Sequence, residues 1–232
     1  MIHEDRQKGN VLVIILIAVA LFAALSFVVS KMMRGSADIG REKSGIYASE
    51  ILTYAQSLSE AVKMMRISNG CEDTDISFEN NIVAGYEHSP VATNDCKIFH
   101  ASGGGLSYIR PNDDANGGVD WIFTGDNDGY DIGTQCNSDT CSDLIAILPE
   151  ISLEICKEIN KRLNVSSANN YMTQEDDSFA VVKFQDTYSY SARLEDNAGL
   201  AALNGQYSGC FEGNSVPQSA NTYYFYQVLL ER

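Results

Sequence analysis

Cations are scarce in this sequence: 16 Lys and Arg stand against 31 Asp and Glu, giving a formal net charge of −15 and a pI near 4.4. Such a surface repels nucleic acid phosphates and anionic headgroups. No basic run interrupts it, so nucleic acid is set aside as a partner. Acidity has two readings here, a solvated exposed domain or a cation-binding one. Histidine is scarce too, with only His3, His88 and His100, and these show no metal-ligand spacing. The nucleophile and metallopeptidase signatures Gly-x-Ser-x-Gly and His-Glu-x-x-His are absent, and no Ser-x-x-Lys lies near a candidate site. The carboxylate pairs Asp113-Asp114 and Asp176-Asp177 fall in polar stretches. Gly103-Gly104-Gly105 is followed by no Gly-Lys-Ser/Thr, so it is no phosphate loop. No internal repeat is visible. The expectation is a protein that is not an enzyme.

Charge vanishes altogether from Val11 to Val29, VLVIILIAVALFAALSFVV, where only Ser26 interrupts the apolar run. As a helix this segment is roughly 28 Å long, close to the thickness of a hydrocarbon core. It is apolar on every face, which is the membrane pattern rather than the stripe of a core helix. A cleaved secretory signal would have a shorter apolar core and a small-x-small site. Ser30, Lys31, Met32, Met33 and Arg34 follow instead. Lys and Arg flank the segment on both sides (Arg6, Lys8; Lys31, Arg34, Arg41, Lys43), and their count does not favour an outside C-terminal part.

The cysteines argue the other way. Cys71, Cys96, Cys136, Cys141, Cys156 and Cys210 all lie after the apolar segment. An even count behind a membrane anchor points to an exported, oxidised domain. Zinc would want tandem close pairs or added histidines, and Cys136–Cys141 is the only close pair. Cys136–Cys141 is the first expected disulfide and Cys71–Cys96 the second; each ties a Gly- and Asn-rich region with little core of its own. The rest of the connectivity stays open.

Residues 1–66 read as one unit: the polar leader MIHEDRQK ending at Gly9, an apolar helix starting at once, then an amphipathic stretch without proline. Lys8-Gly9 and the apolar run resemble the N-terminal segment of a type IV pilin or type II secretion pseudopilin. The resemblance implies processing at Lys8, Gly9 and Asn10 by a prepilin peptidase, methylation of the new N-terminus, and packing of the apolar helix against other pilin-like subunits. It further implies storage in inner-membrane lipid, with the C-terminal domain periplasmic or at the cell surface. Two positions depart from the pattern. Asn10 stands where the family usually has Phe or Met, and Ile14 where it usually has Glu. The missing Glu fits a minor, tip-located subunit. The alternative is an uncleaved single-pass protein with an exported binding domain.

The expected domain layout is a leader at 1–9, a transmembrane helix at 10–30, an amphipathic extension at 31–70 and an exported globular domain at 71–232. The fold class expected is α+β: a long N-terminal helix packed on an antiparallel sheet, a second short helix and disulfide-bonded loops. Tyr47, Ile51, Tyr54, Leu58, Val62 and Met65 trace one helical face. That stripe would pack on a sheet, with a coiled-coil partner as the rival reading. Gly35, Gly40 and Gly45 each weaken the helix by roughly 1 kcal/mol relative to Ala. Ser68-Asn69-Gly70 stops it. Lys97–Ala101, Leu106–Ile109 and Val119–Thr124 are short strand candidates. Leu144 to Leu148 is an apolar run that Pro149 ends. Ser152 caps a helix over Leu153–Leu163. Phe179–Gln185, Tyr188–Leu194, Tyr207–Glu212 and Thr222–Leu230 read as an antiparallel meander, the last strand apolar on both faces and so central or covered.

Asp126-Asn127-Asp128-Gly129-Tyr130-Asp131 places oxygen ligands on alternate residues with a glycine for a turn. Asp126, Asp128 and Asp131 are thus candidate Ca²⁺ ligands, the one cofactor considered, against an ordinary acidic turn. The Gly and Glu spacing of the EF-hand loop is missing. No other cofactor is expected.

Overall fold

A computed structural model describes residues 8–134, 141–165, 173–174, 179–194, 202–213 and 222–232. The chain divides into two compact units, Met1–Lys43 and Ser44–Arg232. One helix, α1 (Lys8–Ser68), runs from the first into the second and continues through Gly35, Gly40 and Gly45 before ending at Ser68.

In the first unit, Val11–Val29 is a helical segment of 19 residues with a mean hydropathy of 3.2 and no buried side chain. It is long and apolar enough to cross a membrane.

In the second unit α1 changes character. Ala48, Ile51, Ala55, Leu58, Val62 and Met65 are buried at alternating three- and four-residue spacing. The sequence stripe is therefore displaced: Tyr47 and Tyr54 sit half-buried at its edge, and two alanines take the centre. The helix ends because Gly70 takes a positive φ of 69°, which lets the Asn69 and Cys71 amides both donate to the Met65 carbonyl.

Residues 71–121 contain little regular structure: 3₁₀ turns at Asp73–Asp75 and Asn94–Cys96, and a single-turn helix α2 (Asp113–Asn116). The expected strands at 97–101 and 106–109 are absent. Lys97 makes only an isolated bridge with Ser77, and the chain then turns back on itself. Gly103 shows why: a Cβ there would lie 2.1 Å from the Lys97 carbonyl oxygen, so the backbone of the turn folds directly onto 97–98.

The sheet follows, in the order β3-β5-β6-β2-β1-β4. Its strands are β1 (Ile122–Gly129), β2 (Asp143–Ile151), β3 (Thr173–Gln174), β4 (Ala192–Leu194), β5 (Ser208–Gly213) and β6 (Thr222–Leu230). The four inner strands pair antiparallel, while β3 joins β5 and β4 joins β1 in parallel, so the sheet is mixed rather than purely antiparallel. Pro149 does not end β2. It sits at an irregularity between Leu148 and Ile151, where Glu150 takes a φ of 58°, a position at which a missing amide donor costs little. The expected meander over 179–194 is confined to β4. Residues 179–191 run beside β1 as irregular chain, joined to it by Phe184 to Phe123, Ser189 to Gly125 and Ser191 to Asp126 backbone bonds. A register shift in β1 between Thr124 and Asn127 breaks the ladder there.

Both faces of the sheet are buried. Leu144, Ala146, Leu148, Phe123, Phe225 and Leu229 share one apolar cluster with the α1 stripe and with Ile155, Cys156 and Ile159 of α3 (Leu153–Leu163). Ile145, Ile147, Phe211, Tyr224, Tyr226 and Val228 belong to a second cluster with Phe179, Leu194 and Leu203. This explains the unbroken apolar sequence of β2 and β6. The α3 helix is capped as its sequence dictates: Ser152 Oγ accepts from the Ile155 amide, and Asn164 closes the far end at a φ of 57°.

Candidate functional site

Lys8, Gly9 and Asn10 open α1, and residues 1–7 of the leader lie outside the described residues. Disulfides join Cys71 to Cys96, as expected, and Cys156 to Cys210, a pairing the sequence left open. The expected Cys136–Cys141 pair falls on Cys136, which lies outside the described residues; Cys141 itself is disulfide-bonded. These bonds fit an oxidising compartment.

The candidate calcium ligands do not form a loop. Asp126 and Asp128 lie within β1 and are buried, and Asp131 is exposed just beyond its end at a φ of 58°. Arg193 of β4 engages Asp128, Nε to Oδ2 at 3.0 Å. Asn127, between the two aspartates, uses both ends of its side chain on Ala180: its Nδ2 donates to the carbonyl at 3.0 Å and its Oδ1 accepts from the amide at 2.7 Å. The alternation that reads as ligand spacing is thus the alternation of a strand. Among the described residues no group of three or more His, Cys, Asp or Glu could hold a metal ion.

A network of tyrosine hydroxyls surrounds Trp121, the chain's only tryptophan. Its backbone, just before β1, is held by two tyrosine hydroxyls rather than by a ladder. The Tyr108 hydroxyl accepts from the Trp121 amide at 3.1 Å and donates to Asp120 Oδ1 at 2.9 Å. The Tyr86 hydroxyl donates to the Trp121 carbonyl at 3.2 Å and accepts from the Phe123 amide at 3.1 Å. A third hydroxyl, of Tyr54 on α1, donates to the Ser107 carbonyl and accepts from the Ile109 amide. Burial pushes Tyr54 up to about 12 and Tyr86 and Tyr108 higher still, so all three stay protonated donors at physiological pH. Arg110 grips Asp120 with two bonds of 2.7 and 3.0 Å, and that hydrogen-bonded guanidinium holds the Asp120 carboxyl below its ordinary value.

The Trp121 ring packs against Tyr54 at 5.7 Å and edge-on against Phe225 of β6 at 6.1 Å. Its indole nitrogen is buried and has no acceptor among the described residues. Trp121 also lines a cavity of about 70 Å³ whose walls include Ile51, Tyr54 and Ala115 and whose rim carries Tyr47, Glu50 and Asn112. Such a pocket can hold a small, largely apolar group. Sequence reasoning missed it. Its one available signal was a lone Trp following a run that already held Tyr108, Arg110 and Asp120, and nothing in the sequence shows that Tyr47 and Tyr54 face it.

A second buried polar point lies where β1, β2 and residues 231–232 meet. Asp143 is buried, with Oδ2 accepting from the Gly129 amide and Oδ1 from the Arg232 amide, both at 2.9 Å. Burial pushes its carboxyl up to about 7, against the opposing pull of those two donors. The Arg232 guanidinium lies 3.8 Å above the Tyr188 ring and reaches Asp73 at 3.4 Å.

No protein-family model, curated protein or solved structure matches the chain.

Proposed function

We propose that the chain is a pilin-like or minor pseudopilin-like structural subunit of a membrane-anchored filament or secretion apparatus. The observation that carries this reading is the double character of α1. One stretch of the helix is apolar on all sides with every side chain exposed, and another supplies a buried stripe to the core of a disulfide-bonded domain. An all-apolar helix face needs lipid or other apolar helices, and a filament core offers the second after the inner membrane has offered the first. In this reading prepilin peptidase cuts after Gly9, other pilin-like subunits pack on Val11–Val29, and the domain stands in the periplasm or on the cell surface with the α1 stripe packed on the sheet. Intact-mass analysis of protein from a host with an active prepilin peptidase tests it. A mature chain beginning at Asn10 is the expected result, and a chain retaining residues 1–9 overturns it.

The cavity beside Trp121 favours a second reading, an uncleaved single-pass protein whose exported domain binds a ligand. An intact leader together with ligand binding at that cavity would select it.

A further inference from the structure

We infer that His88 is an acid-sensitive plug: on taking up a proton it leaves the core and frees residues 87–92 from the domain. Among the described residues the segment 79–92 makes no backbone–backbone hydrogen bond, so side chains alone hold it in place. Those bonds are few. Asn80 closes a turn on the Ile82 and Val83 amides, Lys183 Nζ donates to the Ala84 carbonyl, and the Tyr86 hydroxyl joins the Trp121 carbonyl to the Phe123 amide. Beyond Tyr86 two anchors remain. The Ser89 amide donates to Asp186 Oδ2 at 3.3 Å, and the His88 ring turns inward, 6% exposed and edge-on to Phe184 at 5.9 Å. Glu87, Ser89, Pro90 and Val91 around it are all exposed. Of the side chains that this segment buries, Val83, Tyr86 and His88, only His88 changes charge near neutral pH.

Its surroundings suit a neutral imidazole. Nε2 is buried and has no hydrogen-bond partner among the described residues. The charged groups that face the ring are Asp186 beside Phe184, Asp75 and Glu79 from the stretch after α1, and Lys97. The three carboxylates are already engaged. Asp186 accepts from the Ser89 amide and the Thr187 hydroxyl, Asp75 from the Glu72 amide, and Glu79 pairs with Lys97 Nζ at 2.8 Å. Burial outweighs their attraction and Lys97 adds to it, so the imidazole sits below its ordinary value of 6.5. The inserted ring therefore takes up a proton less readily than a ring in water. The closed form keeps its full advantage above the ordinary value and loses it as pH falls through that value, the loss levelling off below the lowered one. Departure of the ring uncovers Phe184, which is otherwise buried.

Full-length protein in detergent is compared at about pH 7.5 and about pH 5, on either side of the histidine range. Hydrogen exchange, corrected for the intrinsic pH dependence of its rates, is expected to show protection across residues 87–92 falling about tenfold at the lower pH, with the β2 and β6 amides no less protected. His88→Phe keeps an inserted ring that cannot take a proton, and is expected to hold the segment closed at both pH values. His100→Gln is expected to leave the response intact. In the wild type, whose histidines are only His3, His88 and His100, ring NMR signals are expected to show His88 titrating below its ordinary value, with the Ser89 amide shift following the same midpoint. A segment equally protected at both pH values overturns the inference. So does a response that survives in His88→Phe, which would place the titration on Asp186, Asp75 or Glu79. A wild-type His88 ring that titrates at or above its ordinary value overturns it as well.

Discussion

Two halves of the disulfide-bonded domain satisfy their buried backbone in different ways. The inner strands β5, β6, β2 and β1 do it mainly by repetition: outside their register shifts the amides have neighbours in a ladder, and loss of one side chain leaves the ladder standing. Residues 71–121 do it by single side chains. There Tyr54 and Tyr86 each bridge two backbone groups, Tyr108 ties the Trp121 amide to the Asp120 carboxylate, Asn116 bonds the Val119 and Pro149 carbonyls, and Asn69 reaches the Asp95 and Ser102 carbonyls. Every buried backbone group must be matched somehow. A stretch without a ladder therefore concentrates its stability in a few hydroxyls and amides.

The disulfides give the largest test of this contrast. Cys156–Cys210 spans 54 residues and ties α3 to β5, and its loss in the double alanine variant is expected to cost about 4 kcal/mol by loop entropy. Cys71–Cys96 spans 25 residues within the ladder-poor half, for about 3.5 kcal/mol. The similar totals should differ in place. Hydrogen exchange of the Cys71→Ala/Cys96→Ala protein should show lost protection across residues 72–106 with the sheet amides still protected. The Cys156→Ala/Cys210→Ala protein should instead lose protection throughout. Uniform loss in both would mean that the halves unfold as one and that the contrast has no energetic content.

Asp143 sharpens the contrast from the side of the sheet, because it is a side-chain pin inside the ladder region. Its folded pKa, about 7, lies above its ordinary value of 3.8. The folded state therefore holds a proton that the unfolded chain releases between these values, and stability falls as pH rises from about 4 to about 7, then levels off. The groups that face it are the Gly129 and Arg232 amides and the charges of Asp128 and Glu231. The expected decline is on the order of 4 kcal/mol. Asp143→Asn should remove that slope in urea titrations across the window while adding a constant cost of roughly 1 kcal/mol, since an amide cannot accept from both donors. A parallel slope in wild type and variant would locate the titration elsewhere.

The same division decides what the sequence discloses. Thr222–Leu230 and Leu153–Leu163 are readable to the residue, because apolar runs, a Ser cap and a helical period are local signals. The α1 stripe is readable as a face but off-centre, because large apolar residues draw the eye while Ala48 and Ala55 hold its middle. Phe179–Gln185 has strand chemistry and no strand, since a register shift in β1 and the Asn127 side chain take the places of ladder partners. The calcium reading of Asp126, Asp128 and Asp131 and the silence about Trp121 share a cause. Both depend on which distant residues arrive, Arg193 in one case and Tyr47, Tyr54, Tyr86 and Tyr108 in the other. Sequence spacing carries no trace of them.

Single-hydroxyl deletions test the pinned half directly. Tyr86→Phe keeps the ring contacts with Phe78 and Phe123 and removes one oxygen, leaving the Trp121 carbonyl and Phe123 amide unmatched in the core. The expected loss is about 2 kcal/mol in chemical denaturation. Tyr108→Phe, nearer the surface and backed by Arg110 on Asp120, should cost about 1 kcal/mol. Equal and negligible losses would show that water replaces both hydroxyls and that this half is looser than its bonds imply.

The smallest effect belongs to the exposed charges of α3, which are neither ladder nor buried pin. Glu158 accepts from Arg162 Nε at 3.0 Å and lies 3.6 Å from Lys161 Nζ, and Arg162 also donates to Ser49 Oγ of α1. The Arg162 hydrogen bond holds the Glu158 carboxyl below its ordinary value, so its contribution is present above that range and lost as pH falls through the lowered value. All of these groups meet water. Screening and the entropy of fixing long side chains therefore cut the gain to about 0.3 kcal/mol for Glu158→Gln, measured by denaturation at neutral pH. Raising the salt concentration should shrink even that difference, whereas the Tyr86 loss should not respond to salt at all. A Glu158 effect as large as that of Tyr86, and insensitive to salt, would mean that α3 is held by its rim rather than by Ile155, Cys156 and Ile159 beneath it, and the division between pinned and laddered halves would have to be redrawn around the helix.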